Sequence, residues 1–467
     1  MKTIETDVAV VGAGTAGLSA YKAAVKAGKR VLMIEGGPYG TTCARVGCMP
    51  SKLLIAAAEA AHGASHMDAF GIRLDGHVTV DGRAVMDRVK RERDRFVGFV
   101  LEGVENIPAE HKLRGYARFV SPGVLMVDEH TRVEAASVVI ATGSSASVPP
   151  PFKGLGDRLI INDDVFDWDD LPKRVVVFGP GVIGLELGQA LSRLGVVVRV
   201  FGMSGSLAGL SDLAVRQTAK KIFQDEFYLD PDARVLETKR VDDEVEVRYV
   251  KLDNTVCVER FDFALVATGR RPNLDGLGLA AAGIAVNDNG MPAFNRLTMQ
   301  LGKEPVFIAG DVNNDVPLLH EAADEGHIAG ENAARFPKVK PGFRRTPLAV
   351  VFTDPQIAMV GQGPDKLVAD SFVTGSVDFR AQGRSRVILK NKGVLHLYAD
   401  RVSRQLLGAQ MVGPSAEHLA HLLAWSVQQA MTIDQMLQMP FYHPVIEEGL
   451  RTALRDTAAK LDERVCA

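Results

Sequence analysis

In Val8-Ala9-Val10-Val11-Gly12-Ala13-Gly14-Thr15-Ala16-Gly17 an apolar run leads directly into three spaced glycines. The apolar run Val8 to Val11 reads as a buried parallel strand, Leu18 to Ala27 as a helix, and Lys29 to Ile34 as a second strand. Gly12 permits a tight turn, Gly14 lets the backbone approach a pyrophosphate, and Gly17 lets helix and strand pack closely. The helix N-terminus adds free N–H groups for the anion. Glu35 ends the second strand, where a carboxylate accepts from ribose hydroxyls. A lone GxGxxG is weak; inside a strand–turn–helix–strand–Glu unit it is specific.

Working outward, the same unit recurs. Arg174 to Phe178 is an apolar strand, followed by Gly179-Pro180-Gly181-Val182-Ile183-Gly184, a helix to about Leu194 and a strand from Val196 to Phe201. Two dinucleotide sites in one chain suit one tightly held cofactor and one that exchanges. Glu35 lies 23 positions after Gly12, and the same step from Gly179 reaches Gly202. The second unit therefore lacks the ribose carboxylate. Gly202-Met203-Ser204-Gly205-Ser206 also lacks a basic cluster for a 2′-phosphate. This loop leaves NAD and NADP both open.

Composition fits a globular chain. The 467 residues are 46% hydrophobic and 24% charged, with a net charge of −3, and their number suggests about three domains. Interspersed charge gives no reason to expect nucleic acid, and the run Lys90 to Arg95 reads as a solvated helix face. The N-terminal apolar run is too short to span a membrane. We expect no membrane association and a cytoplasmic location. Ala141-Thr142-Gly143 and Ala267-Thr268-Gly269 each follow a strand, and each closes a nucleotide unit. Pro149 to Pro151 and Arg270 to Asn273 read as hinges. Val306 to Asp311 is a strand ending in Gly-Asp, where Asp311 can bind a cofactor hydroxyl. From Thr346 the pattern becomes α+β. The expected division is a first nucleotide domain over 1–150, a second over 151–272, a central return to the first over 273–345, and a C-terminal domain over 346–467. The fold class is α/β, with two Rossmann-like domains plus an α+β domain.

Cys43 and Cys48 stand in Gly40-Thr41-Thr42-Cys43-Ala44-Arg45-Val46-Gly47-Cys48-Met49-Pro50-Ser51-Lys52, just after the first fingerprint. The chain has four cysteines, so they do not form a disulfide scaffold, and a close pair points to redox or metal chemistry. Half a metal site is the alternative, but no matching His/Cys pair is nearby. Cys257 reads as structural, and Cys466 stands at the terminus. Thiol–disulfide exchange needs a thiolate, and free cysteine is mostly protonated near neutral pH. A histidine within reach supplies the base, and a carboxylate fixes its tautomer.

Both fingerprints, the Cys-x4-Cys-x-Pro-Ser-Lys segment, both Ala-Thr-Gly turns, Ala309-Gly310-Asp311 and the terminal His443-Pro444-Val445-Ile446-Glu447-Glu448 occur in one order. In this the chain resembles the pyridine nucleotide–disulfide oxidoreductase family over essentially its whole length. The resemblance implies FAD on Gly12, Gly14, Gly17, Glu35, Lys52, Thr142, Gly143 and Asp311. It implies NAD, with NADP possible, on Gly179, Gly181, Gly184, Gly202 and Gly269, and a homodimer through the C-terminal domain. Cys48 would be the thiol beside the flavin and Cys43 the interchange thiol. Lys52 would lie near the flavin's reactive nitrogen, with Glu186 as its partner. His443 would be the acid–base and Glu448 would hold its ring, both serving the other subunit's disulfide. Bland readings remain for two of these: Glu186 as a solvated helix residue and His443 as a structural histidine. The leading expectation is oxidation of a dithiol of the dihydrolipoamide type, free or protein-bound, by NAD. The alternatives are an NADPH-driven disulfide reductase of the glutathione-reductase type, an NAD(P)H oxidase or transhydrogenase that needs no Cys43, and a flavoprotein kept as a binding subunit of a larger complex.

Overall fold

The computed structural model describes residues 2–463, so Cys466 lies outside the described residues. The chain forms two compact units: residues up to Pro50 with Arg88–Ser147 and Gly269–Arg344, and Ser51–Asp87 with Val148–Thr268 and the chain from Arg345.

The first unit is built on a sheet in the order Lys112–Arg114, Val31–Glu35, Lys2–Val11, Thr131–Ile140. These strands are parallel, and Val11 stands between Ile34 and Ile140. The outer edge of Thr131–Ile140 takes the antiparallel hairpin Ala117–Ser121 and Val124–Val127 early, and the parallel strand Val306–Ile308 at its end. Val8, Val10, Met33 and Val139 pack towards the helices Thr15–Lys26 and Leu319–Arg335, while Ala9, Val11, Leu32 and Ile140 pack into a second layer. A sheet covered on both faces needs continuous apolar runs, as the sequence shows. The two helices approach through small residues: a Cβ on Gly326 would fall 2.2 Å from the Ala16 carbonyl oxygen, and one on Gly330 2.3 Å from that of Ala20.

The second unit opens with a parallel sheet in the order Tyr228–Asp230, Val197–Phe201, Arg174–Phe178, Phe263–Val266, Leu159–Ile160. Phe261 to Val266 reads as one strand in the sequence, but here it is the ends of two. Val256–Phe261 completes an antiparallel sheet with Arg234–Val241 and Glu244–Val250, and Phe263–Val266 joins the parallel one. Asp262 makes the break, its carboxylate accepting from the N–H groups of Lys173 at 2.7 Å and Arg174 at 2.8 Å.

The C-terminal part is an antiparallel sheet in the order Leu348–Val351, Gln356–Gly361, Leu406–Gly413, Val394–Asp400, Phe372–Asp378. Phe379, Leu395, Leu397, Leu419 and Leu454 are buried between this sheet and the helices Ala416–Gln428 and Glu447–Asp462. The pattern reading passes over Gln356–Gly361 and Leu406–Gly413. The second carries Gln410, a polar residue only 4% exposed, because its oxygen accepts from Ser211 and Asp212 of the nucleotide-binding part. Asp212 also caps the helix Leu213–Gln224 through Ala214 and Val215, and its carboxylate meets His396 Nδ1 at 2.7 Å and Tyr398 Oη at 2.8 Å. Burial raises the Asp212 pKa, but the His396, Val215 and Tyr398 hydrogen bonds outweigh it and hold it at about 2.

The segment read as a hinge, Arg270 to Asn273, contributes the strand Arg270–Pro272, which pairs antiparallel with Ser144–Ala146. The exit and return of the first unit are thus stitched together.

Candidate active site

The first cradle begins where Lys2–Val11 ends. Gly12 has φ +107°, and a Cβ there would lie 2.3 Å from the Ala141 carbonyl oxygen. A Cβ on Gly17 would lie 1.9 Å from Gly12 O, whereas the space off Gly14 holds no atom within 4 Å. Close packing behind and open space in front suit a pyrophosphate at a helix N-terminus. Glu35 is positioned by two backbone donors, Ala13 N–H to Oε2 and Gly37 N–H to Oε1, each at 2.7 Å.

The remaining residues of this cradle are tied down by neighbours. Thr142 Oγ1 donates to Asn273 O at 2.7 Å, and the Asn273 amide returns to Thr142 O at 2.9 Å. Gly143 follows at φ +68°. Asp311 Oδ2 accepts from Ser144 Oγ at 2.7 Å, and Arg270 donates to Ser144 Oγ and O. Behind Asp311 stands Glu325, fully buried, which accepts from Gly310 N–H at 2.8 Å and Asn313 Nδ2 at 2.6 Å and pairs with Arg344. Burial pushes its carboxyl pKa up. Sequence reading missed Asn273 and Glu325 as site-shaping residues, because their partners lie far along the chain or carry no motif.

The second cradle repeats the first almost atom for atom. Gly179 also has φ +107° and a Cβ approach of 2.3 Å, here to Ala267 O, and Gly184 approaches Gly179 O at 1.9 Å. Gly181 faces open space. Gly12 N–H bonds to Ile34 O and Gly179 N–H to Phe201 O, both at 2.8 Å, so Glu35 and Gly202 are equivalent positions. Gly269, next in the chain after Ala267 and Thr268, has φ +117°.

Cys43 lies in the short helix Thr42–Val46, half-buried, and the exposed Cys48 opens the longer helix Cys48–Ser65. The field of that helix favours a thiolate at its start. Thr41, before Cys43, is held at φ 59° and ψ 148°, where its Oγ1 accepts from Ala44 N–H at 3.3 Å. This is glycine territory, and a side chain held there stores about 1–3 kcal/mol of strain.

Lys52 is one turn on from Cys48. Its Nζ lies 2.8 Å from Glu186 Oε2 and 4.6 Å from the centre of the Phe352 ring. The Glu186 side chain is 5% exposed and its Oε1 accepts from Phe352 N–H at 2.9 Å, so it is no solvated surface residue. One face of the helix Val182–Arg193 continues the contact. The Gln189 side chain exchanges two hydrogen bonds of 2.8 Å with the Asp354 backbone, and Arg193 pairs with Asp354 and Glu226. Gln189 and Arg193 follow Glu186 by three and seven residues, helix spacing that could have flagged them.

His443 is well exposed, and its Nδ1 lies 3.0 Å from Glu448 Oε2 and 3.1 Å from Oε1. A carboxylate only accepts, so Nδ1 is the donor in this contact and Nε2 takes no part in it. The His443 hydrogen bond, with help from Val445 N–H and the Arg451 charge, holds the Glu448 carboxyl below its ordinary range. Among the described residues, no cluster of three or more His, Cys, Asp or Glu could hold a metal, and no helix is long and apolar enough to cross a membrane.

Residues 6–326 match the pyridine nucleotide-disulphide oxidoreductase family, and residues 348–454 match the dimerisation domain of the same family. The chain belongs to that family. It is an FAD-dependent disulfide oxidoreductase that works with NAD(H), and the cradle glycines with Glu35 fit dinucleotides. Among curated proteins it is 32% identical to a dihydrolipoyl dehydrogenase of Halobacterium salinarum, over 96% of this chain and 95% of the relative. Among solved structures it resembles LpdA from Mycobacterium tuberculosis, at a TM-score of 0.80 and 24% identity over 97% of this chain and 99% of the other. The HOCl-induced flavoprotein disulfide reductase RclA from Escherichia coli has a TM-score of 0.79 and 21% identity, over 96% of this chain and 99% of the other.

Proposed function

We propose that this protein oxidises dihydrolipoamide, free or carried on a protein lipoyl group, with NAD as acceptor. The observation that carries this reading is the His443–Glu448 dyad. A direct oxidase has no use for an oriented base; a dithiol substrate does. The full-length relatives of dihydrolipoyl dehydrogenase type support the choice of substrate.

In this reading His443 Nε2 accepts the proton of a substrate thiol. The thiolate attacks Cys43 of a Cys43–Cys48 disulfide, forming a mixed disulfide and releasing Cys48 as thiolate. The second substrate thiol then displaces Cys43 and passes it its proton, closing the substrate's own disulfide and leaving Cys43 as thiol, Cys48 as thiolate and His443 protonated. Two electrons and two protons have moved from substrate to enzyme. Gly12, Gly14, Gly17 and Glu35 would hold FAD, which would supply the two-electron link between this cysteine pair and NAD. Lys52, held by Glu186, supplies a fixed positive charge one turn beyond Cys48. The working unit is a homodimer in which His443 and Glu448 serve the partner's Cys43, in keeping with the dimerisation-domain match. A reducing, cytoplasmic compartment is where cysteines kept for redox use rather than stapling belong.

Steady-state rates on one preparation test the reading, with dihydrolipoamide and NAD, glutathione disulfide and NADPH, and lipoamide and NADH. We expect the first pair to be fastest and Cys43→Ser to abolish it. Full activity of Cys43→Ser with dihydrolipoamide would refute the relay, and a faster glutathione disulfide reaction would refute the substrate.

A further inference from the structure

We infer that Pro180 and Gly202 form a coupled pair that sets pyridine-nucleotide selectivity in the second cradle. The inference rests on the reading that this cradle takes NAD(H). The first cradle supplies the comparison. There Ala13, between the first two glycines, donates its N–H to Glu35 at 2.7 Å and holds a carboxylate at the ribose end of the turn. At the same two steps the second cradle carries Pro180 and Gly202. Proline has no N–H, so a carboxylate at 202 would lose that donor.

It would also lack room. A Cβ on residue 202 would lie 2.5 Å from Pro180 Cγ, 2.7 Å from Pro180 Cδ and 2.7 Å from the Pro231 carbonyl oxygen. These obstacles are held in place. Gly202 N–H bonds to Asp230 O at 2.8 Å, Ala233 N–H to Gly202 O at 3.0 Å, and Gly205 N–H to Pro231 O at 3.1 Å. The proline ring thus fills the space through which a glutamate stem would leave position 202. Asp230, which ends the neighbouring strand, is buried and accepts from the N–H of Asp232 in its own turn. Positions 180 and 202 themselves present only hydrocarbon and backbone. They neither reward a pair of ribose hydroxyls nor repel a 2′-phosphate, and Met203 to Ser206 add no cation. Gaining NAD selectivity therefore takes Pro180→Ala to return the N–H and clear the ring and Gly202→Glu to supply the carboxylate, with the Pro231 turn giving way slightly to the new Cβ.

The test is calorimetric titration of the FAD-loaded enzyme with 5′-AMP, 2′,5′-ADP, NADH and NADPH. The proteins are wild type, Pro180→Ala, Gly202→Glu and the double variant, each checked for flavin content and melting temperature. Wild type should bind the members of each nucleotide pair within about tenfold of each other, and Pro180→Ala should do the same. Gly202→Glu alone should weaken all four ligands, or lower the melting temperature, with no gain in selectivity. The double variant should recover binding and gain roughly 10–150-fold preference for 5′-AMP and NADH, the factor a charged hydrogen bond supplies. Full selectivity in Gly202→Glu alone, at an unchanged melting temperature, would overturn the coupling. So would a double variant that binds 5′-AMP without preference. If wild type bound none of the four, the nucleotide reading of this cradle would fail, and the inference with it.

Discussion

Two carboxylates of this protein each hold a cationic or protonatable partner, and they do so in opposite surroundings. Glu186 is 5% exposed and holds Lys52, whereas Glu448 holds an imidazole that is 80% exposed. Burial makes the first pair part of the framework. With Lys52 on one oxygen and Phe352 N–H on the other, Glu186 joins three segments, and the Gln189 and Arg193 contacts extend the same clamp. Exposure makes the second pair a weak fastener that solvent and a substrate can reach, as the proposed acid–base role requires. One contact type, a carboxylate beside a nitrogen, thus serves as framework where water is excluded and stays open to a substrate where it is not.

Substitutions can break or sharpen this contrast. Glu186→Ala should have the largest effect on stability. It strands a buried N–H and a partly buried ammonium, and should cost about 2–4 kcal/mol. Thermal melting of the FAD-loaded protein reads it, and a loss below about 1 kcal/mol would place Glu186 with the surface carboxylates.

Asp212 should come next, because it is buried but fully served by donors. Its folded-state pKa of about 2 lies below that of an unfolded aspartate. Its stabilisation is therefore complete above about pH 4 and is lost as pH falls towards 2, a contribution of order 1–2 kcal/mol. Melting temperature against pH should fall over that window in wild type, and less steeply in Asp212→Asn. Parallel curves would remove Asp212 from the acid transition.

The smallest stability effect belongs to Glu448→Gln. The melting temperature should not move, while reduction of the enzyme by dihydrolipoamide slows by about tenfold, a modest share of the effect of losing an acid–base group. A clear drop in melting temperature with no kinetic change would invert the comparison.

Legibility in the sequence followed range. The two cradles could be read because a strand, three glycines and a helix start are a local pattern, and local geometry fixed both in the same form. The close Cys43 and Cys48 pair was visible for the same reason, whereas the roles of His443 and Glu448 came through the family resemblance. The Lys52–Glu186 pair, 134 residues apart, came only through the family resemblance. The contacts of Asp354 with Gln189 and Arg193, and of Asp212 with His396 and Tyr398, join residues more than 150 apart. No window of sequence contains both ends of such a contact. One end did carry a signal: Asp212 precedes a helix as an N-cap should. The strands Gln356–Gly361 and Leu406–Gly413 were missed because glycine, alanine and a buried Gln410 blur the alternation that marks a strand. Pro180 over Gly202 was hidden for another reason. The sequence shows that a carboxylate is missing, but only packing shows what has taken its space.

In the proposed mechanism electrons enter through thiol–disulfide exchange at Cys43 with His443 as base, and leave through the nucleotide side without it. Stopped-flow reduction of the His443→Gln enzyme tests both halves at once. Reduction by dihydrolipoamide should slow by roughly 10²–10⁴-fold, the usual loss on removing a general acid–base, while reduction by NADH should keep its wild-type rate. Equal rates with dihydrolipoamide in variant and wild type, or equal slowing with both reductants, would contradict the mechanism.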